Sequence, residues 1–232
     1  MNRTFIVVVF IFINSFVDAQ PDAKKIIREV NGVFERVQDY TADVKIKTDI
    51  AFVNILPVNA KVFFKQPDKF HMQSKGIAIL PRQGVGNMLA GLRDTLAYTA
   101  FYLMDDNLSG VKVSVINILP VSDTSEIIVG KFWIDTQRKL VMRSQITGKT
   151  NGTVDAVYQY GLHAAFALPD KIVFTIDTKK FKVPKAIAAD INNYEKENAG
   201  KENKKGMITL LFTNYAINKG VDNSVFKSGK RD

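Results

Sequence analysis

The 232-residue chain contains no cysteine. This absence excludes disulfides, thiolate metal sites, a thiol nucleophile and the acylated cysteine of a bacterial lipoprotein. Histidine is nearly as scarce. His71 and His163 are the two present, and neither has a second imidazole at ligand spacing, so no metal or other cofactor is expected. No Gly-x-Ser-x-Gly elbow occurs, and a serine triad would have to recruit one of those two histidines. Gly84-Val85-Gly86 is a fragment of a phosphate loop without its Lys-Ser/Thr ending. Asp105-Asp106 follows an apolar run and reads as a turn rather than as an acid–base pair. The chain is therefore not expected to be an enzyme.

Long apolar runs are missing as well. Arg3, the stretch Phe5 to Phe12 and the small-residue site Val17-Asp18-Ala19 together read as a secretory signal peptide over residues 1–19, cleaved after Ala19. The apolar part falls well short of the roughly 20 residues that a spanning helix needs. Residues 20–232 are then expected to form one exported, soluble β domain that relies on its core for stability.

Acidic residues are outnumbered, leaving a formal net charge of +9. A basic excess of this size attracts anionic surfaces. Lys24, Lys25, Lys179, Lys180, Lys182, Lys201, Lys204 and Lys205 lie near the ends or in one late loop, without the interleaved aromatics that stack bases. Nucleic acid is not an expected partner. These lysines read either as solvated surface or as transient contacts with an anionic membrane surface or with membrane proteins.

From Pro21 to Gln38, Ile26, Ile27, Val30, Val33, Phe34 and Val37 recur at helical spacing, so one amphipathic helix is predicted, laid by a single face on a sheet. After Tyr40 the period becomes two. Ala42, Val44 and Ile46 alternate with Asp43, Lys45 and Lys47; Ala60, Val62 and Phe64 oppose Lys61 and Lys65; Phe70 and Met72 follow the Pro67-Asp68 turn. Val111, Val113 and Val115 alternate with Lys112 and Ser114, while Ile128, Phe132 and Ile134 alternate less regularly. Leu140, Met142 and Ile146 follow the Thr136-Gln137 turn, and an Asn151-Gly152 turn leads into Val154, Ala156, Tyr158 and Tyr160. Ile172, Phe174 and Ile176, then Ile208, Leu210 and Phe212, complete about nine strands in antiparallel meander order, a number that curls into a barrel or part-barrel.

Two stretches break the β rhythm. Between Ile77 and Met104, Met88, Leu89, Leu92, Leu96 and Tyr98 follow a glycine-containing loop at helical spacing, and Phe101, Tyr102 and Leu103 are placed to begin a strand. Phe181 to Lys205 reads as a short helix around Ile187 followed by a polar loop. A curved sheet with an apolar inner face needs a cover, and one helix with two short insertions leaves space beneath. Each buried methylene contributes about 0.8 kcal/mol, so an acyl chain of about 14 carbons supplies on the order of 10 kcal/mol gross. The same residues, fully interdigitated, would make a filled core, and the pattern alone leaves that alternative open.

The order of parts resembles the periplasmic lipoprotein carrier LolA and its relatives. The likeness is carried by Tyr40-Thr41-Ala42-Asp43-Val44 after the first helix, by Phe63-Phe64-Lys65-Gln66-Pro67-Asp68-Lys69-Phe70 at the second turn, by Phe166-Ala167-Leu168-Pro169 before a strand, and by Phe212-Thr213-Asn214-Tyr215-Ala216-Ile217-Asn218 with Val225-Phe226 near the end. The resemblance implies a mainly antiparallel α+β fold, a curved half-barrel of about 9–11 strands with an N-terminal helix and a short helical lid. It also implies non-covalent binding of lipid or lipoprotein acyl chains in the periplasm. The arginine that precedes the turn proline in the carriers is replaced here by Gln66. Combined with the alternation, the expected cavity residues are Val44, Ile46, Val62, Phe64, Phe70, Met72, Leu140, Met142, Tyr158, Phe174 and Phe212, with Met88, Leu89, Leu92 and Ile187 in the lid. The competing expectation is an envelope sensor or assembly protein with a filled β core that binds a protein partner.

Overall fold

In the computed structural model, residues 20–50, 56–74, 76, 80, 92–150, 152–177 and 205–227 are described. Residues 1–19, on which the signal-peptide expectation rests, lie outside them. The predicted helix is α1, Ala23–Phe34. It starts where the Asp22 side chain accepts a hydrogen bond from the Lys25 N–H, satisfying one of the orphan donors of the first turn. Its buried stripe is Ala23, Ile27, Val30, Asn31, Val33 and Phe34. No helix among the described residues is long and apolar enough to cross a membrane.

Ten strands follow: β1 Asp39–Asp49, β2 Val58–Lys65, β3 Lys69–Ser74, β4 Tyr98–Leu108, β5 Val111–Pro120, β6 Ile127–Asp135, β7 Leu140–Gly148, β8 Gly152–Gln159, β9 Lys171–Asp177 and β10 Lys205–Ile217. They form one antiparallel sheet in the order β3-β2-β1-β10-β9-β8-β7-β6-β5-β4. The sheet is open, with β3 and β4 as its edges, and does not close into a barrel.

The sheet nonetheless curls. β2 and β4 are eight steps apart in the strand order, which in a flat sheet at about 4.8 Å per step would be about 38 Å. A 12-residue helix is only about 18 Å long. Yet the Phe34 ring, at one end of α1, lies 5.2 Å from that of Phe64 on β2, while Gln20, just ahead of the other end, donates to the Tyr102 carbonyl on β4 at 3.1 Å. One short helix reaches both sides only because the sheet bends around it.

Three sequence expectations are corrected. Asp105-Asp106 lie inside β4 rather than in a turn; the reversal comes at Ser109 and Gly110, both with positive φ. Their low strand propensity is offset across the sheet. Asp105 accepts from Lys112 Nζ (2.9 Å), Ser114 Oγ (2.9 Å) and the Tyr102 hydroxyl (2.9 Å), and Asp106 accepts from the Trp133 indole N–H (3.1 Å). The Asp105 carboxyl is held below its usual range, chiefly by the bonds from Lys112 and Ser114. In β5 the face is opposite to the one the valines suggest. Ile116 and Ile118 join the main core, whereas Val113 and Val115 form a separate outer cluster with Trp133. Tyr98, read as helical, opens β4, and among the described residues just ahead of it Leu92 and Arg93 are helical.

Candidate functional site

The inner face of the sheet carries one apolar cluster covered by α1. Strand alternation delivers Val44 and Ile46 from β1, Val62 and Phe64 from β2, Tyr158 from β8, Phe174 from β9 and Phe212 from β10 into a single cluster with Ile27, Val30, Val33 and Phe34 of the helix. Leu140 and Leu92 join it, and Phe70 and Met72, on the edge strand β3, pack against it half-buried. Met142 is displaced. The pairing passes from Trp133↔Arg143 to Ile134↔Val141, so Met142 is the extra residue of a bulge and touches both the inner and the outer cluster. Met88, Leu89 and Ile187 lie outside the described residues.

One end of the cluster is an aromatic wall. Phe64 stacks on Tyr40 with centroids 5.3 Å apart, Tyr40 meets Tyr215 at 5.7 Å, and Tyr215 meets Phe212 at 6.0 Å and His163 at 4.8 Å. Three of the phenols at or beside this wall have a polar partner among the described residues. Tyr160 donates to the Val141 carbonyl and Tyr215 to that of Pro169, both at 2.8 Å, and Tyr158 shares a 3.1 Å bond with Ser144. Burial pushes all of their pKa values up, so they stay neutral at physiological pH. No group of three side chains able to hold a metal occurs among the described residues.

Beside α1 runs a strap, residues 92–97, leading into β4. It is stitched to α1 and to the β2–β3 turn by side chains. Asn31 Nδ2 donates to the Leu92 carbonyl at 2.7 Å, the Tyr98 hydroxyl donates to the same carbonyl at 2.8 Å, and Lys24 Nζ donates to the Thr95 carbonyl at 3.2 Å. Gln66 sits at the centre. Its amide nitrogen donates to the carbonyls of Glu35 (3.1 Å) and Val37 (2.8 Å), and its amide oxygen accepts from Arg93 Nη2 (2.8 Å), while Arg93 Nη1 donates to the Pro67 carbonyl.

Sequence reasoning missed two residues of this arrangement. Asn31 is 5% exposed, on the stripe with Ile27, Val30 and Phe34, and its Oδ1 has no hydrogen-bond partner among the described residues. A polar residue at the i+4 position from Ile27 was the available signal. Arg93 carried none, because its partners lie 26 and 27 residues away. A groove of about 790 Å³ lies at β1, β2 and β10, among Asp43, Val44, Lys45, Lys61, Gln73 and Thr213.

No family model and no curated protein matches the chain. Solved structures do. An outer membrane lipoprotein-sorting protein domain from Vibrio parahaemolyticus superposes with a TM-score of 0.60 at 8% identity, over 89% of this chain and 96% of that one. A LolA superfamily protein from Nitrosomonas europaea gives 0.59 at 8% identity over 88% and 96%, and a DUF1329 family protein from Desulfovibrio piger gives 0.58 at 9% identity over 88% and 95%. The chain therefore has the LolA-type fold.

Proposed function

We propose that this chain is an exported, non-enzymatic carrier that holds acyl chains of lipids or lipoproteins between the sheet and α1, acting in the periplasm after loss of residues 1–19 and visiting membrane surfaces or membrane proteins to load and unload. The observation that carries the reading is the roof. A single 12-residue helix covers the apolar inner face of a curled ten-stranded sheet, and the strap beside it is tied down by side-chain hydrogen bonds rather than by a backbone ladder. Displacing α1 and the strap exposes Val44, Ile46, Val62, Phe64, Phe174 and Phe212 as one surface on which acyl methylenes replace the helix's side chains. The shared fold of a lipoprotein-sorting domain supports the same reading.

The test is extraction of the natively purified protein followed by mass spectrometry, together with titration of an environment-sensitive acyl probe. Co-purified lipid and a saturable signal are expected. Finding neither refutes the carrier reading.

One observation favours a second reading. The inner-face residues are already closely packed against α1, Phe174 and Val62 being fully buried, as in a protein with a filled core that recognises a protein partner. A stable partner recovered on pull-down, without lipid, is its expected signature.

A further inference from the structure

The groove at β1, β2 and β10 differs in chemistry from the apolar cluster under α1. Strand alternation sets its side chains. Along β1, Val44 points into the cluster, so Asp43 and Lys45 project from the other face, and Asn59 and Lys61 of β2 alternate in the same way with Ala60 and Val62. The cross-strand register assembles them into a grid. One row holds Thr213, Asp43, Lys61 and Gln73, from β10 across to β3, and the next holds Leu211, Lys45 and Asn59. At about 4.8 Å per strand step, the first row is about 14 Å wide.

The charges in this grid are unbalanced. Asp43 stands directly opposite Lys61, where a cross-strand ion pair would form, yet its carboxylate is engaged elsewhere: Asn214 Nδ2 donates to Asp43 Oδ2 at 2.9 Å. A bulge arranges this. β1 advances two residues from Thr41 to Asp43 while β10 uses three, from Ala216 to Thr213, and Asn214 takes a left-handed φ of 53°. Lys45 and Lys61, diagonal neighbours on the same face, form no ion pair among the described residues. Two like charges so placed repel, and a bound anion removes that cost.

We propose that this groove binds a phosphate ester, the Lys45 and Lys61 ammonium groups donating to the phosphate oxygens while Asn59, Gln73 and Thr213 bond hydroxyl groups on the rest of the molecule. Lysine suits the first task as a compact charge with three donors on a flexible stem, so two of them converge on one phosphate from adjacent strands. A volume of about 790 Å³ is that of a small-molecule site, and its mostly polar side chains select a polar occupant. Among the described residues none that lines the groove is aromatic, so it offers no platform for a nucleobase. Its one carboxylate, already bonded to Asn214, is a poor cage for a divalent cation. The same phosphate chemistry is offered by a free ester and by a phospholipid headgroup.

The test is calorimetric titration of the purified protein with glycerol 3-phosphate at about 0.1 M salt, where exposed charges more than about 10 Å apart are largely screened. Saturable binding is expected, with none for glycerol. Lys45→Ala and Lys61→Ala should each weaken it about tenfold, and Asp43→Asn, which removes the opposing charge, should tighten it several-fold. Lys149→Ala, in the exposed turn between β7 and β8, changes the net charge equally and should have no effect. Circular dichroism should be the same for all four variants, whose altered side chains lie outside the core. Co-sedimentation with phosphatidylglycerol vesicles then separates the sources. Vesicle binding that glycerol 3-phosphate competes away and that Lys45→Ala/Lys61→Ala abolishes identifies a headgroup; glycerol 3-phosphate binding without vesicle binding identifies a free ester. Absence of saturable glycerol 3-phosphate binding overturns the proposal whatever the vesicles do. So does binding that Lys149→Ala weakens as much as Lys45→Ala, or that neither groove lysine affects.

Discussion

Replacing Asn31 with leucine should make the protein more stable. Asn31 contributes one hydrogen bond to the Leu92 carbonyl at 2.7 Å, worth about 1 kcal/mol net. That carbonyl keeps a second donor, the Tyr98 hydroxyl at 2.8 Å, and so is not orphaned by the change. On the other side of the balance, the buried Oδ1 has no partner among the described residues, at a cost of about 1–3 kcal/mol, and leucine adds apolar surface to a cluster that already holds Ile27, Val30 and Phe34. The net gain should be about 1–3 kcal/mol, or roughly 2–10 °C in Tm for a chain of this size. Thermal unfolding followed by calorimetry checks it, with Asn31→Ala as the control that loses the bond without filling the space. If α1 must shift to admit an acyl chain, the same variant should take up probe more slowly. A lower Tm for Asn31→Leu would refute the reasoning, because it would mean that the polar bond to Leu92 outweighs the unpaired oxygen.

Arg93→Ala removes the strap's bonds to Gln66 and Pro67, a charge-assisted pair worth about 1.5 kcal/mol, and should speed acyl-probe exchange on the order of tenfold in stopped-flow displacement. Burial works to raise the Asp135 pKa, but the Arg138 backbone N–H and guanidinium and the Gln137 N–H together hold it below the usual carboxylate range. Its contribution is therefore complete above the unfolded-state value near 3.9 and disappears as pH falls through the lower folded-state value. Asp135→Asn should cost about 1 kcal/mol in denaturant unfolding at pH 7, with the gap to the parent closing in acid. Trp133, the single tryptophan, lies on the outer face between Arg143 and Lys131, so its fluorescence should stay unchanged when acyl ligand occupies the inner face. A large spectral shift on ligand addition would place the ligand on the wrong side of the sheet.

The strands were legible because one face of most of them is charged. In β1, Lys45 and Lys47 leave no choice about which way Val44 and Ile46 point, and in β9, Lys171, Thr175 and Asp177 do the same for Phe174. β5 was misread because both of its stripes are apolar over Val113–Ile118. What decides its face is the partner strand, where Phe132 and Ile134 point inward against Ile116 and Ser114. The bulges at Leu103, Ile128 and Met142 are invisible for the same reason: each is a mismatch of two strands rather than a property of one. Of the candidate site, the inner-face residues could be read from alternation, while the strap's hold on α1 and the β2–β3 turn could not, because long-range side-chain bonds leave no period.

The way the sheet is held shut bears on how it could work. β3 and β4 share no ladder, and among the described residues the two sides of the open sheet are joined through α1, Gln20, Lys24, Asn31, Gln66 and Arg93. A barrel closed by backbone pairing would have to break a row of ladder bonds to open. Here the joints are a few side-chain hydrogen bonds, each worth about 1–3 kcal/mol, together with the helix's apolar stripe. Opening should therefore be a local event costing less than global unfolding, of the kind that native-state hydrogen exchange resolves. Amides of α1 should exchange through this smaller opening, while those of β9 and β10, in the middle of the ladder, should exchange only with complete unfolding. Arg93→Ala should accelerate the first set and leave the second nearly unchanged. If both sets slow and quicken together, α1 is an inseparable part of the core, and the filled-core reading of the inner face is the correct one.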